Sequence, residues 1–456
     1  MKLSRKAVRR KTHAIPTLQF EQQRLTSFSG LLLFQVLFGR LDLKRRLRAC
    51  FETGGAIYHQ ATIVLSLIVH LLLGYRQLRD ARYYRDDPMV RRLLGLARLP
   101  DVATVSRCLA AACTASIERV RRLCRELVLK RLVALALRRL TLDFDGSVLG
   151  TGRWAEGTAV GFNKKKKGQR GYYPLICTVA QTGQVFDLLH RPGNVHDSRG
   201  AKEFIVACIE QVRAVLPGVV LEVRLDSAFF SDEIVRTLHE LGVEFSISVP
   251  FERFVELKQR IERRHRWHRA NAELSYFEDR WKPKSWPRRY RFVFLRTVHR
   301  RRSKQPVQLD LFEPVDTEFR YTVVVTNKTV NAAAVVRFHH GRGAQEAVFA
   351  ELKSQGQLDY IPTRTLAGNQ LYLLAAVLAF NLNRELQMTV EEADRTTTPT
   401  RAPLWAFKQL ETVRRTLVQR AGRLTRPQGE LTLTVSANDE VRDQLLHCLD
   451  QLQKAA

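Results

Sequence analysis

The segment LTLDFDGSVLG (residues 140–150) is the stretch of sequence that decides the fold. Its alternation of apolar and polar residues is typical of a β-strand, in which successive side chains point to opposite faces of a sheet. Asp143 and Asp145 therefore share one face, separated by Phe144. An aspartate within an apolar strand is unfavourable unless it is paired or binds a metal ion. A turn at Gly146 would account for Asp145 alone but would leave Asp143 unexplained.

A second acidic residue follows a similar apolar run. Asp226 ends the strand-like segment VVLEVRLD (219–226), and active sites of open α/β sheets collect at the carboxyl ends of strands. The alternative is that Asp226 caps the next helix, although Ser231 or Asp232 would suit that position better. The pattern therefore favours a functional role for Asp226.

A third acidic residue, Glu346, lies in the helix-like stretch HHGRGAQEAVFAELK (339–353). Arg342, Glu346 and Lys353 are spaced so that they share one face of a helix. An exposed Arg–Glu pair contributes little to stability, and this stretch by itself is consistent with such a solvated pair.

Taken together, Asp145, Asp226 and Glu346 could hold two Mg²⁺ or Mn²⁺ ions about 3.5–4 Å apart. One ion would activate a water molecule or a 3′-hydroxyl, and the other would stabilise the leaving oxygen. Carboxylate oxygens suit these hard cations, and none of the seven cysteines forms the CxxC pair typical of zinc sites. Arg342 and Lys353 would then contact phosphates beside the scissile bond.

The chain is strongly basic. Its 456 residues include 75 Lys and Arg against 45 Asp and Glu, a net charge of +30 with a pI near 10.4. Clustered positive charge indicates a polyanionic partner such as double-stranded DNA, with a generally basic surface as the alternative. The most apolar run, ATIVLSLIVHLLLG (61–74), is shorter than a membrane span, and the N-terminus lacks a secretory signal. We expect a cytoplasmic, nucleoid-associated protein without membrane contact.

The composition and periodicity of the sequence predict several regions. Five strand-like segments and two helices between residues 141 and 250 predict an α/β domain with a mixed sheet. The other predicted regions are a helical DNA-binding region (1–140), a strand-rich insertion with a basic face (251–330), a helical return to the catalytic core (331–395) and a C-terminal tail that follows a linker (396–456).

One segment of the helical region, LPDVATVSRCLAAAC (99–113), resembles the turn and second helix of a helix-turn-helix. Val105, Ser106 and Arg107 would begin the helix that enters a major groove. A plain helical hairpin is an equally good interpretation.

The run NKKKKGQRGYY (163–173) places basic residues beside two tyrosines, in a predicted loop between the first two strands. A solvated charged loop is the simplest interpretation, but beside an active strand a DNA contact is favoured, with Tyr172 or Tyr173 stacking on a base. A second basic stretch follows Trp281. The candidate DNA-binding residues are Lys164, Lys165, Lys166, Lys167, Arg170, Arg288 and Arg289.

The order of these motifs resembles a DDE transposase of a bacterial insertion sequence, in the group whose last acid lies in a Tyr-x2-Arg-x3-Glu-x6-Lys pattern. Here the pattern is His339-x2-Arg342-x3-Glu346-x6-Lys353, with histidine in place of tyrosine. Together with the segments DFDGSV, GFNKKKKGQRGYYPL, RPGNVHD and DSAFF, it is similar to the insertion sequence 1380 family.

The resemblance implies a ribonuclease-H-like catalytic fold and a metal-binding triad of Asp145, Asp226 and Glu346, with Asp143 as the runner-up for the first acid. It also implies a strand-rich insertion before the glutamate. The spacing agrees, because Glu346 follows Asp226 by 120 residues (346 − 226), against 81 between the first two acids (226 − 145). The supporting, phosphate-binding residues that it implies are His339, Arg342 and Lys353.

The implied activity is binding of terminal inverted repeats, cleavage at the element ends and joining of the 3′-hydroxyls to target DNA, by a homodimer on DNA. Flanking DNA could be released through a hairpin, with Trp281 or Trp286 stacking on a flipped base. Two alternatives remain open: a metal-dependent DNA nuclease without strand transfer, and a catalytically inactive, transposase-derived DNA-binding protein.

Overall fold

The computed structural model describes residues 15–21, 23–52, 56–161, 163, 166–196, 199–300 and 317–454. The α-helices are α1 (Leu31–Arg40), α2 (Leu43–Arg48), α3 (Gln60–Leu72), α4 (Pro88–Leu94), α5 (Val102–Ala110), α6 (Thr114–Leu135), α7 (Ala201–Val215), α8 (Asp232–Glu240), α9 (Val255–Glu262), α10 (Ala332–His340), α11 (Ala344–Ser354), α12 (Leu366–Val390), α13 (Leu410–Val413) and α14 (Asp439–Lys454). The strands are β1 (Leu25–Thr26), β2 (Arg139–Gly146), β3 (Leu149–Thr151), β4 (Ala159–Val160), β5 (Arg170–Tyr172), β6 (Leu175–Val179), β7 (Val185–Leu189), β8 (Val220–Leu225), β9 (Glu244–Val249), β10 (His268–Arg269), β11 (Leu274–Trp281), β12 (Tyr290–Arg300), β13 (Thr317–Thr326), β14 (Gly422–Thr425) and β15 (Thr432–Val435).

A nine-stranded mixed sheet forms the centre of the fold, in the order β10-β11-β12-β13-β9-β8-β2-β6-β7. Strands β2, β8 and β9 run parallel to one another, and the remaining pairs are antiparallel. The predicted mixed α/β architecture is therefore confirmed. Strands β10 to β13 do not form a sheet of their own, because β13 pairs with β9 and extends the central sheet.

The two faces of this sheet differ in chemistry because the strands alternate. On one face, residues such as Leu142, Phe144 and Val223 pack against α7 and α8 in one hydrophobic core. The opposite face, called here the polar face, carries the alternate residues of β2, β8 and β9. These residues are Thr141, Asp143, Asp145, Glu222, Arg224, Glu244, Ser246 and Ser248.

Buried charge on the polar face is compensated by ion pairs. Glu222 is fully buried, and its carboxylate pairs with Arg139, Lys328 and Arg401 at 2.7–2.9 Å. Burial raises the pKa of Glu222, but hydrogen bonds from Arg401 and Lys328 outweigh it and lower that pKa to about 2. Arg401 belongs to the stretch 396–403 that the sequence indicated as a linker, and this stretch contacts the polar face through Arg401 and the Thr400 carbonyl.

Helix α12 is buried along most of its 25 residues, as its nearly apolar sequence predicts. Its polar side chains have partners inside the protein. The Asn381 amide accepts a hydrogen bond from Val185 N at 2.9 Å and donates one to Val185 O at 2.7 Å, which ties α12 to β7. Arg384 pairs with the buried Glu351 of α11. Helix α12 thus connects the sheet to the helices around it.

The two ends of the described chain meet in a small sheet, because β14 pairs with both β1 and β15. Arg414 donates hydrogen bonds to the carbonyls of Leu71 and Leu72 at 2.7 and 2.9 Å, at the C-terminal end of α3. Residues after 403 therefore share a hydrophobic core with the N-terminal helices. Within the described ranges, no helix is both long and apolar enough to cross a membrane.

Candidate active site

The parallel register of β2 and β8 places Asp145 and Asp226 at matching positions. Asp143 lies opposite Arg224 in this ladder, and Asp145 and Asp226 each follow two residues later, where the two strands end. Neighbouring strands are about 4.8 Å apart, so the two aspartates lie at adjacent strand ends. Both residues are partly exposed, whereas the residues before them on the polar face are buried.

Each aspartate is held by local hydrogen bonds. Asp226 accepts a hydrogen bond from Ala228 N at 2.9 Å, at the start of the short 3₁₀ turn Ser227–Phe229. Ser231, not Asp226, caps helix α8, as the sequence suggested. Asp145 accepts a hydrogen bond from Gly146 N at 2.7 Å, and its other oxygen lies 3.1 Å from Nη1 of Arg342.

Helix α11 is docked against β2 through the residues at its start. Arg342, in the 3₁₀ turn that precedes the helix, pairs with Asp145, and both side chains are about one-fifth exposed (19% and 21%). Gln345 donates a hydrogen bond to the Asp143 carbonyl at 2.9 Å. Glu346 follows directly and is exposed in the first turn of α11, where the helix dipole favours a negative charge. Lys353 lies two turns further along and is half-buried.

The three candidate carboxylates do not converge into one group in this arrangement. In the part of the chain that the structure describes, no cluster of three or more His, Cys, Asp or Glu side chains is close enough to hold a metal ion. Asp145 and Asp226 lie at adjacent strand ends, and Glu346 lies on the helix whose start contacts Asp145 through Arg342 and the Asp143 carbonyl through Gln345. The donor atoms are all carboxylate oxygens, which suits Mg²⁺ or Mn²⁺.

Asp143, the alternative first acid, has a different environment. It is 1% exposed and forms a two-point ion pair with Arg224, with N–O distances of 2.5 and 2.7 Å. Arg224 is itself fully buried and also donates to the carbonyls of Phe338 and Thr400 at 2.9 and 2.6 Å. Asp143 therefore has a structural partner and no exposed oxygen, which favours Asp145 as the first acid.

His339 is not presented to a phosphate. Its ring is buried between α10 and β9, with Nδ1 2.9 Å from the Ser246 hydroxyl and Nε2 2.8 Å from the Ser248 hydroxyl. A neutral imidazole offers one donor and one acceptor, so both hydrogen bonds are satisfied in the uncharged form. The phosphate contact expected from the motif has no support here, because the side chain that replaces tyrosine points into the protein.

The environment of His339 predicts a loss of stability in mild acid. Burial lowers the pKa of His339 to about 3, whereas an unfolded chain has a histidine pKa near 6.5. The unfolded state therefore binds the proton first as the pH falls below about 6.5, and at pH 5 this costs about 2 kcal/mol of unfolding free energy. Urea denaturation at pH 7 and at pH 5 should show a smaller difference in His339→Gln than in the wild type. His265→Gln, at an exposed position, is the control, and identical pH dependence in all three proteins would contradict the assignment.

The basic candidates lie on exposed parts of the structure where they are described. Lys166 and Lys167 are exposed in the loop before β5, and Arg170 is exposed at the start of β5, the central strand of a second, three-stranded sheet in the order β3-β5-β4. Lys164 and Lys165 lie outside the described residues. Arg288 and Arg289 are exposed just before β12, and Nη1 of Arg288 is 2.6 Å from the His239 ring.

Three aromatic residues expected at DNA are interior instead. Tyr172 is 1% exposed, and its hydroxyl donates to the Glu156 carbonyl at 2.5 Å. Trp281 is buried, with its indole N–H donating to Glu256 at 2.7 Å, and Trp286 packs on Phe230 with ring centroids 4.9 Å apart. These side chains are buried in the protein and cannot stack on a base in this arrangement.

The helix within the predicted helix-turn-helix segment begins earlier than expected. Helix α5 starts at Val102, because Asp101 caps it by accepting a hydrogen bond from Thr104 N at 2.6 Å. Val105, Ser106 and Arg107 therefore lie within the helix and not at its start, and of these three Arg107 is exposed.

Sequence reasoning missed two residues. The alternation in VVLEVRLD placed Arg224 on the face of Asp226, but it could not show that Arg224 joins β2, α10 and the stretch around Thr400. Trp154 was not considered, although it is 61% exposed in the loop after β3. A tryptophan between two turn-forming glycines was the available signal.

The family described as "Transposase DDE domain group 1" matches residues 10–456. No curated protein matches the chain. Among solved structures, the chain is similar to a piggyBac transposase synaptic complex with hairpin DNA, with 10% identity over 86% of this chain and 79% of that chain, and a TM-score of 0.43. A Mos1 transposase paired-end complex with the left transposon end matches with 12% identity over 43% of this chain and 60% of that chain, and a TM-score of 0.18. Because both TM-scores are below 0.5, the assignment of this chain to a family depends on the family match alone.

Proposed function

The chain belongs to the transposase DDE domain group 1 family, and on that premise we propose that it is a DNA transposase with Asp145, Asp226 and Glu346 as catalytic residues. It binds the terminal inverted repeats of its element, cleaves phosphodiester bonds at the element ends and joins the 3′-hydroxyls to target DNA. The insertion sequence 1380 family is the subgroup that its motifs favour.

One observation carries the assignment of the acids. The parallel register puts Asp145 and Asp226 at adjacent strand ends, and Arg342 and Gln345 hold the start of α11 against the same end of β2. Two aspartates from neighbouring strands and a glutamate from a helix docked against β2 would together supply the carboxylates of the site.

Asp145, Asp226 and Glu346 would hold two Mg²⁺ or Mn²⁺ ions, because the donor set contains only carboxylate oxygens. When bound, such ions supply Lewis acidity at the attacking and leaving oxygens of the phosphodiester. Arg342 compensates the charge of Asp145 and, as DNA binds, is placed to donate to a phosphate oxygen. Lys353 adds positive charge on the same helix.

We propose a ribonuclease-H-like core formed by residues 141–250 and 331–395, interrupted by the strand-rich segment 251–330. Helices within residues 1–140 would bind the terminal repeats, with exposed Arg107 on α5 as one contact. The exposed residues Lys166, Lys167, Arg170, Arg288 and Arg289 would contact the DNA backbone, together with Lys164 and Lys165. Residues 396–456 would form the C-terminal tail. Both element ends must be held together, which requires a homodimer on DNA.

A strand-transfer assay tests the proposed function. Purified protein is incubated with Mg²⁺, DNA ends taken from the sequence that flanks its reading frame, and a supercoiled target plasmid. Joined end–target products are expected. Cleaved ends without joined products would instead identify a nuclease, and binding without cleavage would identify an inactive DNA-binding descendant.

DNA affinity is expected to fall steeply with salt. Each neutralised phosphate contributes a slope of about −0.9 to the plot of log affinity against log salt concentration on duplex DNA. Exposed Lys166 and Lys167 should together account for a slope change of about 2 when both are replaced by glutamine. Filter binding at several salt concentrations measures the slope. Lys454→Gln is the control, since that lysine pairs with Asp450 on α14, and equal slopes for all variants would exclude the two loop lysines from the DNA contact.

A further inference from the structure

An exposed tryptophan follows the first candidate acid in the sequence, with strand β3 between them. Trp154 is 61% exposed, in the loop that joins β3 to β4. Asp145 lies on β2, and the loop follows the next strand, β3, so Trp154 comes nine residues after Asp145 in the sequence (154 − 145). A tryptophan side chain is large and mostly apolar, and leaving it in water forgoes the stabilisation that burial would bring. Its exposure therefore calls for a partner.

The loop that carries Trp154 is fastened to the protein on both sides of the exposed ring. Ala155 is 2% exposed. Glu156 N donates to the Arg364 carbonyl at 2.8 Å, and the Glu156 carboxylate accepts from Leu366 N at 3.0 Å, at the start of α12. The Tyr172 hydroxyl donates to the Glu156 carbonyl. Because the backbone beside it is anchored, Trp154 is displayed as a fixed platform.

Positive charge surrounds this platform. Arg170 contacts the same loop by donating to the Thr158 carbonyl at 3.0 Å, and it lies opposite Thr151 in the small sheet. The one acid of the loop, Glu156, is engaged with the backbone of α12. The exposed cations of the loop and of the segments beside it are Arg153, Lys166, Lys167, Arg170 and Arg364.

We infer that Trp154 stacks on an unpaired nucleobase of the bound DNA, while the surrounding cations contact its phosphates. This rests on the proposed function, which makes DNA the substrate. Every nucleobase has a flat π-face, so an aromatic platform within a basic surface binds single strands with little regard to sequence.

The test separates base stacking from phosphate binding. The probes are oligo(dT) of about 15 nucleotides and an abasic phosphodiester strand of the same length, which carries the same charge but no bases. The wild type should bind oligo(dT) about 5- to 100-fold more tightly than the abasic strand, which corresponds to about 1–3 kcal/mol. Trp154→Leu, which keeps an apolar side chain without a π-face, should remove this preference and leave abasic binding unchanged.

Two further measurements complete the test. Trp154→Phe should keep most of the preference, because phenylalanine retains a ring. The tryptophan fluorescence of the wild type should be quenched by oligo(dT), and the Phe variant should lose that quenching although the other four of the five tryptophans remain in it.

Equal preference in the wild type and Trp154→Leu would overturn the inference, as would failure of the wild type to prefer oligo(dT). A change in oligomeric state of Trp154→Leu, seen by light scattering, would identify the platform as a contact between protein copies and would also overturn it. The proposed function fails separately, if the wild type does not cut end DNA with Mg²⁺ whatever its preference for bases.

Discussion

Asp226→Asn is expected to lower the rate of DNA cleavage at least about 1000-fold while binding of end DNA is nearly unchanged. Loss of a carboxylate from a metal-binding pair removes several kcal/mol of transition-state stabilisation, and each 1.36 kcal/mol is a factor of ten in rate. The fold should tolerate the change, because an asparagine oxygen can still accept the hydrogen bond from Ala228 N. Cleavage time courses with excess Mg²⁺, together with gel-shift titrations, measure the two effects. Wild-type cleavage by this variant would falsify the assignment of Asp226.

The two aspartates of β2 provide a matched comparison. Asp145→Asn should abolish cleavage in the same way with a stability change below about 1 kcal/mol, because the residue is partly exposed. Asp143→Asn should keep the cleavage activity of its folded fraction. It should lower the free energy of unfolding by about 3–5 kcal/mol, since it leaves the buried Arg224 without a counter-charge. If Asp143→Asn proves stable and inactive, Asp143 replaces Asp145 as the first acid.

Helix α11 offers a second comparison, for the third acid. Glu346→Gln should lose cleavage and keep its stability, because Glu346 is exposed. Glu351→Gln should destabilise the protein, because Glu351 is buried, pairs with Arg384 and accepts a hydrogen bond from Leu410 N at 2.7 Å. Its folded fraction should still cut DNA. Full activity in Glu346→Gln would remove Glu346 from the catalytic set.

Arg224→Met is expected to lower the free energy of unfolding by about 3–5 kcal/mol, as much as Asp143→Asn. The substitution leaves Asp143 buried without its partner and removes the donors to the carbonyls of Phe338 and Thr400. Urea denaturation followed by circular dichroism measures the change. Adding Asp143→Leu to the methionine variant should restore much of the stability, because an apolar pair of similar volume can replace a buried ion pair at little cost.

Arg236→Met serves as the control for the arginine substitution. Arg236 is about half exposed (51%), and its contact with Glu240 is 4.0 Å long, so a change below about 0.5 kcal/mol is expected. If Arg224→Met were no more destabilising than this control, the buried pair with Asp143 could not be what joins β2, β8 and α10.

Several features of the fold follow from local patterns. The alternation in LTLDFDGSVLG and VVLEVRLD predicts β2 and β8, and the nearly apolar composition predicts the burial of α12. These predictions succeed because period and hydrophobicity act over a few neighbouring residues. The extension of the sheet by β10 to β13 could not be predicted, because the pairing of β13 with β9 joins residues about 75 positions apart.

The burial of individual aromatic and polar residues was the weakest part of the prediction. Trp281, Trp286 and Tyr172 lie in basic surroundings in the sequence, yet their side chains turn inward, while Trp154 is exposed. A charged neighbour in the sequence does not tell which way a side chain points, since adjacent residues of a strand face opposite sides. His339 is a similar case, because both of its partners lie on β9.

The sequence alone determined that this protein is an α/β protein with a strongly basic character, and that Asp145, Asp226 and Glu346 are its candidate acids. These conclusions depend on composition, alternation and spacing, which are local properties of a chain. The resemblance ranked Asp145 above Asp143, and only the tertiary structure gave a physical difference between them, by pairing Asp143 with Arg224 and leaving Asp145 at the strand end beside Arg342. Two aspartates on one strand face are equivalent until the neighbouring strand supplies a buried counter-charge to one of them, and that counter-charge comes from 81 residues away (224 − 143).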